Sequence, residues 1–199
     1  MESCERYLGR QLSMSSFHST ELDHRLQTAW CAFSKFRTEL CGREYHIQDK
    51  LRLFQAVITS TALYATATWT LTLEMENRLR TTWRRMMRKL FRTHSWRRKD
   101  SQGQLEPWHV WIQRSTRRIE LQLENYDIED WVIMHRQRKW RFAGSSARRS
   151  DERWTNALLY WSAPRELGRS TGRPVTRWSD GIVAVAGGNW CEIAKDEET

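Results

Sequence analysis

Glu74-Met75-Glu76-Asn77-Arg78-Leu79-Arg80-Thr81-Thr82-Trp83-Arg84-Arg85-Met86-Met87-Arg88-Lys89-Leu90-Phe91-Arg92 separates into two faces when wound at 3.6 residues per turn. Met75, Leu79, Trp83, Met86 and Leu90 recur on one face. Arg78, Arg85, Arg88 and Arg92 recur on the opposite one, with Arg80, Arg84 and Lys89 at its margins. Glu74 and Glu76 at the start and cations at the end suit the helix dipole, so the spacing predicts an amphipathic helix over 74–92. A charged helix face is commonly just a solvated one. Here seven cations occur with no acid between Arg78 and Arg92, and like charges at this spacing repel, so the pattern predicts a surface that meets phosphate.

Two further helices are predicted upstream of this one. Ser19 or Thr20 is a plausible cap for the first, whose stripe runs Leu22, Leu26, Ala29, Phe33, Phe36 and Leu40 and stops at Cys41-Gly42. The second starts near His46, with Ile47, Leu51, Phe54, Val57, Ile58, Ala62 and Ala65 on its expected buried side, and spans about 30 Å if it reaches Trp69. Its β-branched run from Val57 to Thr61 weakens helical propensity, so packing must hold that part. Downstream, the polar run Arg97 to Gln104 reads as a linker. Helical patterns resume at 108–123, 129–142, 151–161 and 176–186, with a Pro/Gly-rich turn region from Pro164 to Pro174. Only Arg6 to Leu12 looks like strand, as a hairpin. The fold class expected is all-α: a hairpin over 1–18, an antiparallel three-helix bundle over 19–96, a linker over 97–107, and a smaller Trp/Arg-rich helical lobe over 108–199.

Charge is concentrated in the middle of the chain. The whole carries +9, while residues 1–73, 74–149 and 150–199 carry +1, +10 and −2. Such a balance favours a polyanionic partner and is silent about fold. Eight of the 12 tryptophans follow residue 100, and Trp140, Trp154 and Trp178 stand directly beside arginine, which points to packed or stacking rings rather than a solvated tail. Residues Arg136 to Arg141, with Arg138, Lys139 and Arg141, form a second basic patch around Trp140. Cys4, Cys31, Cys41 and Cys191 show neither C-x-x-C nor zinc-ligand spacing, and are read as free thiols in a reducing compartment. No apolar run approaches 18 residues and no signal-peptide pattern opens the chain, so an intracellular protein without a membrane partner is expected.

Enzyme signatures are missing from the sequence: there is no Walker loop, G-x-G-x-x-G, H-E-x-x-H or G-x-S-x-G. The six histidines are scattered singly. Glu129-Asp130 and Asp151-Glu152 stand at predicted helix starts, where capping accounts for them. Arg177, Trp178 and Asp180 share one turn, where an ion pair is expected to be structural.

The order of landmarks carries a resemblance. Tyr7-Leu8-Gly9, a helix with Arg25, Ala29 and Phe33, then Lys50, Tyr64, Thr68-Trp69 and Arg84-Arg85-Met86-Met87-Arg88 resemble the region just after the palm in reverse transcriptases of non-LTR (LINE-type) retrotransposons. Tyr7, Leu8 and Gly9 resemble the primer-grip hairpin and the following helices the thumb. Trp108 to Arg114, Lys139 to Gly144 and Gly172 to Asp180 resemble stretches of the carboxy-terminal extension of the same polyproteins, in the same order. The likeness spans roughly 6–195. It implies a segment that grips an RNA or DNA template–primer, with nucleic-acid contacts from Tyr7, Leu8, Gly9, Arg78, Arg84, Arg85, Arg88, Arg92, Arg138, Lys139 and Arg141.

The same resemblance implies a parent polymerase that uses two Mg²⁺ held by palm aspartates. This chain has no Asp-Asp pair. It is therefore expected to lack the catalytic palm and the fingers, to hold no cofactor and catalyse no reaction itself, and to be a fragment. Thr66, where many relatives carry glycine, and His46, where a small capping residue is common, suggest a drifting copy. Two other readings stay open. One is a stand-alone helical nucleic-acid binder in which Trp140, Trp154 or Trp178 stack on a single strand. The other is a protein-interaction module with a Trp/Arg-rich surface.

Overall fold

The computed structural model describes residues 5–12, 17–149, 154–160 and 176–196, and these are all-α apart from one short hairpin. Two compact units are formed, one from residues 1–64 and 73–134, the other from 65–72 and 135–199. The predicted linker over 97–107 lies inside the first unit. It is folded back on itself by an antiparallel bridge between Lys99 and Leu105 and by Arg97, whose guanidinium donates to the Glu106 carbonyl at 2.9 Å.

In the first unit, β1 (Glu5–Tyr7) and β2 (Arg10–Leu12) pair antiparallel. Leu8 and Gly9 between them take φ of 46° and 76°. Two positive values in a two-residue connection are what a primed hairpin turn demands, and Gly9 supplies its share without strain. Helix α1 (Phe17–Lys35) begins before the expected Ser19 or Thr20 cap. It ends where Phe36 leaves helical geometry (φ −100°, ψ 24°), and α2 (Arg37–Cys41) follows, so the predicted single helix is two. No glycine or proline marks that break.

His46 caps α3 (Ile47–Leu53) as expected, its Nδ1 accepting from the Gln48 backbone N–H at 3.4 Å. The chain then widens into a π-helical segment, Phe54–Thr59, before α4 (Ser60–Ala62). The widening includes Val57, Ile58 and Thr59, where branched side chains crowd an ordinary α-turn. The expected continuation to Trp69 does not form: Ala65 turns left-handed (φ 53°) and a short 3₁₀ turn, Thr66–Thr68, follows. A non-glycine residue in that conformation costs about 1 kcal/mol, which makes this neighbourhood one where glycine would relieve strain.

Helix α5 (Leu73–Leu90) buries Met75, Leu79, Trp83, Met86, Met87 and Leu90, the apolar face read from the sequence plus Met87. Arg92 lies beyond its end in a left-handed turn (φ 55°) that leads into the 3₁₀ turn Thr93–Trp96. Helix α6 (Trp108–Glu124) contributes Trp111, Ile119 and Leu123 to the core. Phe54 stacks on Trp131 with centroids 5.9 Å apart, and Trp131 Nε1 donates to Thr59 Oγ1 at 3.0 Å.

Helix α7 (Trp131–Ala147) crosses the division between the units at Met134 and His135. The second unit adds α8 (Trp154–Tyr160), α9 (Asp180–Ala186) and α10 (Trp190–Asp196), the last not anticipated from the sequence. Its core joins Ala143, Ala147, Ile182, Trp190 and Cys191, with Trp178 and Leu159 packed against them. The Pro164 to Pro174 region lies outside the described residues. Cys31, Cys41 and Cys191 are free thiols.

Candidate nucleic-acid interface

The polar face of α5 divides along its length. Arg78 pairs with Asp23 of α1. Arg80 Nε donates to Asp130 Oδ2 at 3.1 Å, and Arg84 reaches Glu120 Oε1 at 2.7 Å through one guanidinium nitrogen and 3.0 Å through another. These acids lie 55, 50 and 36 residues away in sequence, so the lack of acids within the helix did not mean lack of neutralisation. The hollow beside the amino-terminal half of α5 also takes Asp23 and Glu74 into its lining, which makes it a poor seat for phosphate.

The carboxy-terminal half differs. Among the described residues Arg85, Lys89 and Arg92 make no ion pair. Arg88 donates only to the neutral Thr116 Oγ1, at 3.0 Å. Burial first, then the charges of Arg85 and Arg84, push the Arg88 guanidinium below its ordinary value. Arg85 and Lys89 are exposed and four residues apart, a like-charge spacing that costs the helix about 0.2 to 0.5 kcal/mol. Arg85, Arg88, Lys89 and His94 line a groove of about 790 Å³ with Trp30 and Trp108. The Trp108 ring is 61% exposed. A second hollow, of about 450 Å³, takes Arg37, Lys89, Arg92 and His94, and shares Trp30, Lys89 and His94 with the first. Sequence periodicity alone could not find Trp30, Arg37 or His94, which come from other elements. Trp108 offered one signal, a large ring directly after Pro107 at the start of a helix.

The hairpin tip is held by backbone acceptors rather than by its own side chains. Arg25 donates to the Gly9 carbonyl and, through Nε, to Glu21 Oε1 at 2.8 Å; Glu21 Oε2 accepts from the Gln11 N–H at 2.6 Å. Tyr64 donates its hydroxyl to the Leu8 carbonyl at 3.2 Å, and the Arg25 guanidinium sits over its ring at 4.4 Å. Glu21 and Arg25 are buried, so this clamp is a paired charge in the core. Tyr7 and Leu8 are left exposed at a fixed tip.

Arg138, Lys139 and Arg141 belong to the second unit. Burial, then Arg141, lowers the Arg138 guanidinium from its ordinary value, and Arg141 is exposed. Lys139 Nζ stands over the Trp178 ring at 5.3 Å. That ring donates through Nε1 to the Ala67 carbonyl at 2.8 Å and meets Phe142 and Trp190 edge-on. Asp180 Oδ2 accepts from the Arg177 backbone N–H at 2.7 Å, a turn-closing bond in place of the expected ion pair. Trp140 is partly exposed and Trp154 is 82% exposed.

Among the described residues no three His, Cys, Asp or Glu side chains come together as metal ligands. No helix among the described residues is long and apolar enough to cross a membrane. No family model matches the chain, and no solved structure does. Over 206 aligned residues the chain is 28% identical to an uncharacterized transposon-derived protein of Caenorhabditis elegans, an alignment that takes in 96% of this chain and 66% of that protein. The chain is thus similar, almost from end to end, to a protein of transposon origin.

Proposed function

We propose that this chain is the thumb and carboxy-terminal extension of a LINE-type reverse transcriptase, a segment that grips the backbone of a template–primer. The observation that carries the reading is the run Arg85, Arg88, Lys89 and Arg92. Among the described residues three of these cations make no ion pair and the fourth, half-buried Arg88, meets no acid, and they border hollows with Trp30 and Trp108. Cations without acids on a rigid helix end match a phosphate backbone, and contacts of this kind are independent of base sequence, as copying any template requires. The transposon-derived relative and the collinear landmarks support the same reading. The chain would supply grip and no bond chemistry, since its sequence has no Asp-Asp pair to hold catalytic Mg²⁺.

Salt dependence tests it. With four phosphate contacts, log K for duplex should fall against log salt with a slope of about −3 to −4. Arg85→Gln with Lys89→Gln should flatten the slope by about 2 and leave sequence preference alone. A slope near zero in the unaltered protein, or an unchanged one in the double variant, would return this face to solvent. A second reading, a single-strand binder, is favoured by the exposed Trp108, Trp140 and Trp154 rings; affinity for single strand well above that for duplex would select it.

A further inference from the structure

The smaller hollow holds more positive charge than a passing backbone phosphate needs. It lies among α1, α2 and the turn after α5, and among the described residues Arg37, Lys89, Arg92 and His94 line it with no acidic side chain. Its charge registers at Cys41, another lining residue. Burial pushes that thiol up, while Arg37, Lys89, Lys50 and Arg92 all pull it the other way, so four cations act on one atom. Lys50 is committed to the Gly42 carbonyl, which leaves three. Helix dipoles account for part of this set, because Lys89 and Arg92 lie at the negative end of α5. Arg37 opens the five-residue α2 but follows the end of the longer α1 by two residues, so a negative helix end accounts for it in part as well, and two such ends bring their cations to one hollow. Among the described residues Arg37 makes no ion pair either.

Resting on the groove reading above, we infer that this hollow takes a phosphomonoester, the terminal phosphate of a nucleic-acid strand whose body lies in the adjoining groove. A backbone diester carries one charge, whereas a monoester carries about 1.5 to 2 at neutral pH and offers three strong acceptor oxygens. Two guanidinium forks and an ammonium satisfy that group better than a diester, because each fork can take two oxygens at once. Trp30 borders both hollows and gives the terminal base a face to stack on. The same phosphate chemistry could arrive as a free mononucleotide. The shared Trp30, Lys89 and His94 border favours a strand end.

The test compares one short single-stranded oligonucleotide bearing a 5′ phosphate, a 3′ phosphate or only hydroxyl ends, titrated with the full chain at fixed salt, alongside AMP. One phosphorylated form should bind about tenfold tighter than the hydroxyl form, the effect of about one charge-assisted hydrogen bond. Arg37→Gln should erase that difference, leave hydroxyl-ended binding unchanged, and preserve the melting temperature. Equal affinity for all three oligonucleotides overturns the inference while the groove reading stands. AMP binding as tightly as the phosphorylated strand, with hydroxyl-ended strand unbound, overturns both the strand-end assignment and the groove reading.

Discussion

Trp83 lies among the apolar residues that α5 turns inward and is 3% exposed, so its ring contributes to the core and not to any ligand. Trp83→Ala should cost about 3 to 5 kcal/mol in a denaturant titration, as truncation of a large buried ring does. His135 was indistinguishable in sequence from the other five histidines. In the second unit it is buried, shares a 2.7 Å hydrogen bond with Thr66 Oγ1 and stacks near Trp69. Burial first, then the charge of Lys139, holds it down at about 4 against an ordinary 6.5, with Arg136 adding to the fall and Thr66 opposing it. The unfolded chain therefore takes up a proton between those values when the folded one does not. Stability should fall by about 1.4 kcal/mol per pH unit on going from pH 6.5 towards 4 and be complete above that window. His135→Gln should remove this slope; a slope unaltered by the substitution would assign it to other groups.

At the scale of elements, α5 shows what a sequence can and cannot reveal. Its apolar stripe was legible because a single period fixes which side chains face inward. Its electrostatics were not, because Asp23, Glu120 and Asp130 reach it from helices or turns tens of residues away. Arg92, read as part of the helical face, is placed by a left-handed turn that no local pattern announces. The pairing has a measurable corollary. Asp23→Asn should release Arg78, raise duplex affinity, and steepen the salt slope by up to about one contact. Because that pair is exposed, the same substitution should change stability by no more than about 1 kcal/mol. No gain in affinity would mean that the amino-terminal half of the helix stays out of the interface even when uncompensated.

For the whole molecule, the helical class and the Tyr7-Leu8-Gly9 hairpin were readable from periodicity and turn chemistry, whereas the division into units was not. Arg97 to Gln104 has a linker's composition, yet its backbone is satisfied by local bonds such as Asp100 Oδ1 accepting from Gln102 and Gln104 N–H at 2.9 and 2.8 Å. Composition reports polarity, and polarity does not distinguish a structured loop from a tether. The second unit has its own small core, to which Trp178 is joined through Phe142, Trp190 and the Ala67 carbonyl. Trp178→Ala should therefore speed amide exchange in 65–69 and 176–196 while α1 and α5 keep their protection. Loss of protection in α1 and α5 as well would show that the units unfold together.

The π-helical segment between α3 and α4 has a consequence for how this gene tolerates change. Losing a codon inside a regular helix turns everything downstream by about 100° and shifts it by 1.5 Å, which ruins a packed face. A π turn carries one residue more than an α turn needs. Dropping the exposed Ala56 would let the segment close to ordinary winding, with Leu51 before it and Ala62 after it still facing inward. Loss of three nucleotides within 54–59 is therefore expected to leave the core of this bundle in place.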